Sequence, residues 1–231
     1  MTIKKHIPNV LTSLNLLSGM IGIVFVLDGK IMYGAYFIFI AALFDFLDGF
    51  VARMLKVHSE IGKQLDSLAD LVTFGVLPSF VLFVMVSDQT SSDYLPYLTL
   101  CVGVFSALRL AKFNIDTRQS DRFIGVPTPA NALLISTLPF FIDKFEKMEQ
   151  LLSHPYSLLA IAFIMSALLV AEIPLIALKF KSFQIKDNIF RYLTILIGLI
   201  CLFVLGIGGI PIVIISYIVL SVLEGLINKN A

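Results

Sequence analysis

Apolar runs long enough to cross a lipid bilayer follow one another along almost the whole of this chain, and no other feature narrows its folding choices as much. A bilayer core takes about 20 predominantly apolar residues per helix. Within lipid every backbone N–H and C=O must find a partner in the chain, which leaves helices or a closed barrel. Measured against that length, the sequence yields eight candidate helices, at about 9–27, 31–53, 63–87, 94–113, 128–143, 155–178, 188–206 and 208–227. The 231 residues are 58% hydrophobic and only 14% charged, with a mean hydropathy of +0.94. A soluble domain of this size could not keep that much apolar surface out of water. The expected fold class is therefore an all-α integral membrane protein with about eight transmembrane helices. It reads as a single membrane domain over 1–231, with a six-helix core within about 1–180 and a last pair of helices at about 188–228.

Charge placement orients this map. With the N-terminus inside, only Lys30, Lys144 and Lys147 of the 17 basic residues fall on the outer side. Such a bias in short loops predicts cytoplasmic N- and C-termini. The first apolar run follows Lys4 and Lys5 but lacks a small-residue cleavage site, so it is expected to stay as the first span. A formal net charge of +1 carries no nucleic-acid-binding signature. Cys101 and Cys201 sit in apolar stretches without metal-ligand spacing and read as small hydrophobic residues.

Against this background the stretch FDFLDGFVARMLKVHSEIGKQLDSLADLVTFG, residues 44–75, stands out. It holds four aspartates inside or beside candidate spans, and each aspartate near a bilayer centre costs about 2.5–3.5 kcal/mol. Asp45 and Asp48 are i,i+3; Asp66 and Asp70 are i,i+4, so each pair shares a helix face. The polar MLKVHSEI between them would turn at the membrane surface and return the second helix beside the first. Oxygen-only clusters of this kind suit Mg²⁺ or Mn²⁺. Four carboxylates suffice for two ions about 3.5–4 Å apart, an arrangement used in phosphoryl transfer. Gly49, Ala52 and Gly62 leave room beside the acids, and Arg53 can offer a bidentate fork to phosphate. The residues thus point to a metal-bound phosphoanhydride at the cytoplasmic face. The bland alternative pairs the aspartates with Arg53, Lys56 and Lys63 as buried or interfacial salt bridges.

The order Asp45-x-x-Asp48-Gly49-x-x-Ala52-Arg53, eight residues, Gly62-x-x-x-Asp66-x-x-x-Asp70 resembles the signature of the CDP-alcohol phosphotransferases. Further stretches, IPNVLTSLNLLSG (7–19), LDSLADLVTFGVLPS (65–79), RLAKFN (109–114) and FIGVPTPANA (123–132), look like the membrane-integral bacterial phosphatidylserine synthase branch of that family. Lys112 and Val126 stand where that branch commonly carries arginine and leucine. The resemblance implies transfer of the phosphatidyl group of CDP-diacylglycerol to the hydroxyl of L-serine, giving phosphatidylserine and CMP. It implies that Asp45, Asp48 and Asp66 ligate one divalent ion, that Asp66 and Asp70 help hold a second, and that Asp70 is the general base. It assigns Gly49, Ala52, Arg53 and Gly62 to the CDP portion. A homodimer in the cell (inner) membrane, with its active site on the cytoplasmic side, is also implied.

Serine's carboxylate calls for a cation. Arg109, Lys112, Arg118 and Arg122 cluster after the fourth candidate span, where the positive-inside bias alone would also put them. Asn15, polar in an apolar run, would hydrogen-bond either substrate or a neighbouring helix. His58 reads as solvated, Glu172 has no motif partner, and Asp143 to Glu149 read as an outer loop. Two rival functions follow from the same residues. The acceptor could be glycerol-3-phosphate or an inositol derivative, or the acids could line a divalent-cation transport path.

Overall fold

The computed structural model describes residues 3–57, 59–116, 123–176 and 184–229, and it is almost entirely helical. Helices α1 (Ile3–Leu27) and α2 (Tyr33–Leu55) form an antiparallel pair joined by a tight turn at Gly29, where Lys30 Nζ meets Asp28 Oδ2 at 2.7 Å. Helix α2 ends on Lys56, which takes a left-handed conformation (φ 51°), while the N–H groups of Lys56 and Val57 return to Arg53 O and Ala52 O. Ser59 then caps α3 (Glu60–Asp70) by accepting from Gly62 N. These two caps make the reversal short and bring α3 back along α1.

Helix α3 does not stop at Asp70. It passes through a π-helical turn, Leu71–Val76, into α4 (Leu77–Ser87). Pro78 lacks an N–H, and its ring crowds the carbonyl four residues earlier. The widened turn lies immediately before it, where the regular hydrogen-bond ladder has to be interrupted. A short 3-10 segment (Leu95–Leu100) leads into α5 (Cys101–Ile115). Phe123–Ile124 (β1) and Pro174–Leu175 (β2) pair antiparallel. Between them run α6 (Thr128–Ser136), α7 (Leu138–Lys144), α8 (Glu146–Leu152) and α9 (Pro155–Val170). Helices α10 (Ile185–Leu205) and α11 (Ile210–Lys229) finish the chain.

By length and hydropathy, five stretches of the described residues can cross a membrane, or six if the bent α8–α9 pair counts as one. The chain is a membrane protein. Two expected spans are shorter than the sequence suggested. The run at 128–143 is two helices broken at Thr137, two residues before Pro139, and the run at 155–178 leaves helical geometry after Val170. Residues 143–149, expected as a loop, are mostly helical. Asn188–Ile227 forms one apolar stretch, yet Arg191 Nη1 lies 3.5 Å from Glu224 Oε1, so α10 and α11 fold back on each other.

The core gathers Val26, Ile38, Phe74, Leu77, Val81, Leu82, Ile135 and Leu158, all fully buried. Large apolar side chains also face outward in number: Val24 is 67% exposed, Phe46 62% and Phe203 93%. In water such an exterior would drive aggregation; toward lipid it costs nothing.

Candidate active site

Three helices build the site. The C-terminal half of α2 carries Asp45 and Asp48, and α3 carries Asp66 and Asp70. Behind both, α1 presents a polar stripe at three-residue spacing, Asn9, Thr12 and Asn15. Close approach is what lets α1 do this. A Cβ at Gly62 would lie 2.8 Å from Asn9 Oδ1, and one at Gly19 would collide with Thr73 in the π turn.

One carboxylate oxygen from each of Asp45, Asp48 and Asp66 lies within 4.8 Å of the others. Asp48 is buried, and Asp45 and Asp66 are partly so. Thr12 Oγ1 donates to Asp48 Oδ2 at 2.5 Å. Asp66 Oδ1 is buried with no hydrogen-bond partner. Asp70 stands one turn along α3, outside that three-oxygen group, and accepts at Oδ1 from Asn15 Nδ2 at 3.1 Å. Thr73 Oγ1 donates to Asn15 O at 3.2 Å, which ties α1 to the π turn next to Asp70. The four acids are thus arranged as three together and a fourth one turn away with a hydrogen bond of its own.

Among the described residues none of the four aspartates forms an ion pair. Lys63 Nζ instead reaches Asn114 O at 3.4 Å, so the salt-bridge alternative fails there. Like charges gathered in a partly buried place, with an oxygen left unsatisfied, are unstable without a cation. The donor set is oxygen only, and it fits a hard divalent ion.

Beside the acids opens a cleft of about 240 Å³, lined by Asp48, Gly49, Ala52, Gly62, Asp66 and neighbours from α1. The three small residues singled out by spacing all face this space. Arg53 is exposed, and its guanidinium lies over Gly49, with Nη1 3.6 Å from where a Cβ would sit. Arg109 sits elsewhere. It is 7% exposed, donates from Nε to Val126 O at 2.7 Å, and lies within electrostatic range of Asp70. With Lys112 it lines a second cleft of about 280 Å³, whose far wall is the end of α9. Glu172 falls past that helix end, exposed on the same cleft, rather than inside a span. Arg118, Arg122 and His58 lie outside the described residues.

Sequence reasoning missed Thr12, although it lies three residues before Asn15 on an otherwise apolar helix, a signal that was there to read. It also missed Glu224, whose partner Arg191 is 33 positions away and could be found only in space.

A family model for CDP-alcohol phosphatidyltransferases matches residues 5–178. The chain belongs to this family. All four aspartates, Arg109 and the end of α9 fall within the match; α10 and α11 fall outside it. Among curated relatives, the CDP-diacylglycerol–serine O-phosphatidyltransferase of Helicobacter pylori (strain 26695) is 28% identical over 233 residues, covering 96% of this chain and 95% of the relative. The enzyme of the same name from Bacillus subtilis is 38% identical over 140 residues, 59% of this chain and 76% of its own. The archaetidylserine synthase of Methanothermobacter thermautotrophicus is 36% identical over 172 residues, 72% of this chain and 66% of its own. The family is divalent-metal dependent, in keeping with the three-aspartate cluster.

Proposed function

We propose that this protein transfers the phosphatidyl group of CDP-diacylglycerol to the hydroxyl of L-serine, giving phosphatidylserine and CMP. The observation that carries the chemistry is the convergence of Asp45, Asp48 and Asp66 beside a cleft walled by Gly49, Ala52 and Gly62. Serine as acceptor rests on the names of the H. pylori and B. subtilis relatives. Family membership leaves the cation-transport reading without support.

In this reading the CDP portion lies in the 240 Å³ cleft against the small residues, with Arg53 at its rim to meet the diphosphate. Asp45, Asp48 and Asp66, with Asp70 toward a second ion, would hold Mg²⁺ or Mn²⁺, whose charge stabilises the pyrophosphate and the CMP leaving group. Thr12 fixes Asp48, and Asn15 fixes Asp70, through the bonds described above. Asp70 accepts the proton of the serine hydroxyl as that oxygen attacks the lipid-side phosphorus. The bond from that phosphorus to the CMP oxygen breaks, and its electron pair leaves with CMP. Arg109 and Lys112 carry the positive charge that serine's carboxylate needs.

The chain is proposed to cross the inner membrane eight times with both ends cytoplasmic, as one domain. The α10–α11 reversal supports this, as does the contact of Lys144 Nζ with Leu205 O at 3.3 Å, which puts the end of α7 beside the α10–α11 turn. The charge distribution agrees. The decisive assay supplies purified protein with CDP-diacylglycerol, Mg²⁺ or Mn²⁺, and one of L-serine, glycerol-3-phosphate or myo-inositol. CMP release with serine is expected; release with either of the others and none with serine would overturn the acceptor.

A further inference from the structure

A buried amide with no hydrogen-bond partner destabilises a fold, so its presence asks for an occupant that satisfies it. Asn131, on the first turns of α6, is 0% exposed, and neither its Oδ1 nor its Nδ2 has a partner. Helix α6 packs against the π turn that begins at Leu71, directly after Asp70. On the same turn, Gly75 faces Ser106 closely enough that a Cβ there would lie 2.8 Å from Ser106 Cβ, and Ser106 Oγ is also buried without a partner. Three residues beyond Ser106 comes Arg109. Its Nε is taken by Val126 O, just ahead of α6, and among the described residues no acceptor meets its Nη groups. Asn15 Oδ1, across from these elements on α1, is another buried oxygen left over.

Unsatisfied polar atoms therefore occur on three of the helices that pack against the π turn, α1, α5 and α6. They are donors and acceptors together, with one cation among them. A phosphate presents acceptor oxygens only and calls for donors, cations above all. An α-amino acid presents an ammonium and a carboxylate, and a side-chain amide can accept from the first and donate to the second.

We propose that Asn131 is a binding residue for the acceptor, its carbonyl taking the α-ammonium and its NH₂ the α-carboxylate, with Arg109 supplying the opposing charge. The assignment rests on the acceptor being an amino alcohol acid, as proposed above, and adds the residue that distinguishes it from other alcohols. The π turn has a role in this arrangement. By widening the helix after Asp70 it presents the base and the amino-acid site from one segment.

The test compares wild type with Asn131→Leu, which keeps the shape and removes the amide. The KM for L-serine should rise about tenfold or more, while the KM for CDP-diacylglycerol stays within about twofold. L-serine should raise the thermal midpoint of wild type and not of the variant, and the variant without serine should melt no lower than wild type. An unchanged serine KM would overturn the proposal, leaving the amide to an ordered water. Should the variant not fold, wild type answers through two truncated acceptors, ethanolamine and 3-hydroxypropionate. Both should release CMP far more slowly than serine, and parity of either with serine overturns the proposal. If wild type uses glycerol-3-phosphate and not serine, both readings fall. If it uses serine and Asn131→Leu keeps its KM, only this one does.

Discussion

Two regions of this molecule bury charge in an apolar setting, and they do so in opposite ways. In the α10–α11 hairpin, Glu224 lies 3.5 Å from Arg191, with side chains 11% and 19% exposed. In the α2–α3 reversal, three aspartates converge on one another with no basic partner among the described residues, and one of their oxygens is unsatisfied. The first arrangement is complete as it stands and holds two helices together. The second is incomplete, and its repulsion is an unfavourable term that a bound cation relieves.

The strongest way to break that contrast is to neutralise one acid of the cluster. Asp66→Asn should lower CMP release by about 10³-fold or more, since metal-borne charge stabilisation is worth several kcal/mol. Its thermal midpoint without metal should hold or rise, because a repulsive charge is gone. A variant that keeps activity, or that unfolds, would make the cluster structural. Chelation with EDTA should have an equally complete effect on turnover, reversed by Mg²⁺ or Mn²⁺, with helical circular dichroism unchanged.

Asp70→Asn sharpens the division inside the site. Its kcat should fall by about 10²–10⁴-fold, the range for a lost general base. The Mn²⁺ concentration giving half-maximal activity should move far less than in Asp66→Asn. Equal shifts in both variants would make Asp70 as essential to metal binding as Asp66. A smaller effect is expected from Thr12→Val, which removes the donor to Asp48 Oδ2. Loss of such an outer hydrogen bond costs about 10–100-fold in metal affinity or activity.

Least of all should activity respond to the hairpin. Glu224→Gln removes the charge that Arg191 meets across the hairpin and should cost about 1–3 kcal/mol of stability, read as a lower thermal midpoint. The kcat with serine should stay within about threefold. Loss of turnover with an unaltered midpoint would overturn the structural role given to this pair.

Much of the site could be read without coordinates. The spacing of Asp45, Asp48, Asp66 and Asp70 puts each pair on one helix face whatever the surroundings, because that depends only on the helical repeat. The small residues were legible for the same reason, and Gly49, Ala52 and Gly62 do line one cleft. Membrane character followed from bulk composition. The span map was less secure. Length alone cannot see that Thr137 breaks one candidate helix, or that backbone geometry changes after Val170.

Other features depend on contacts between distant residues. Nothing local says that Thr12 meets Asp48, 36 positions on, or that Asn15 meets Asp70, 55 positions on. Asp70 stands one helical turn beyond Asp66, and that second bond ties it to α1. Likewise, Asn131 is one polar residue among several in the chain until packing removes every partner from its amide. Helical periodicity fixes which side chains share a face, and hydropathy fixes which segments enter lipid. How those faces meet, and which polar atoms are left without a partner when they do, is settled by packing between helices far apart in the chain.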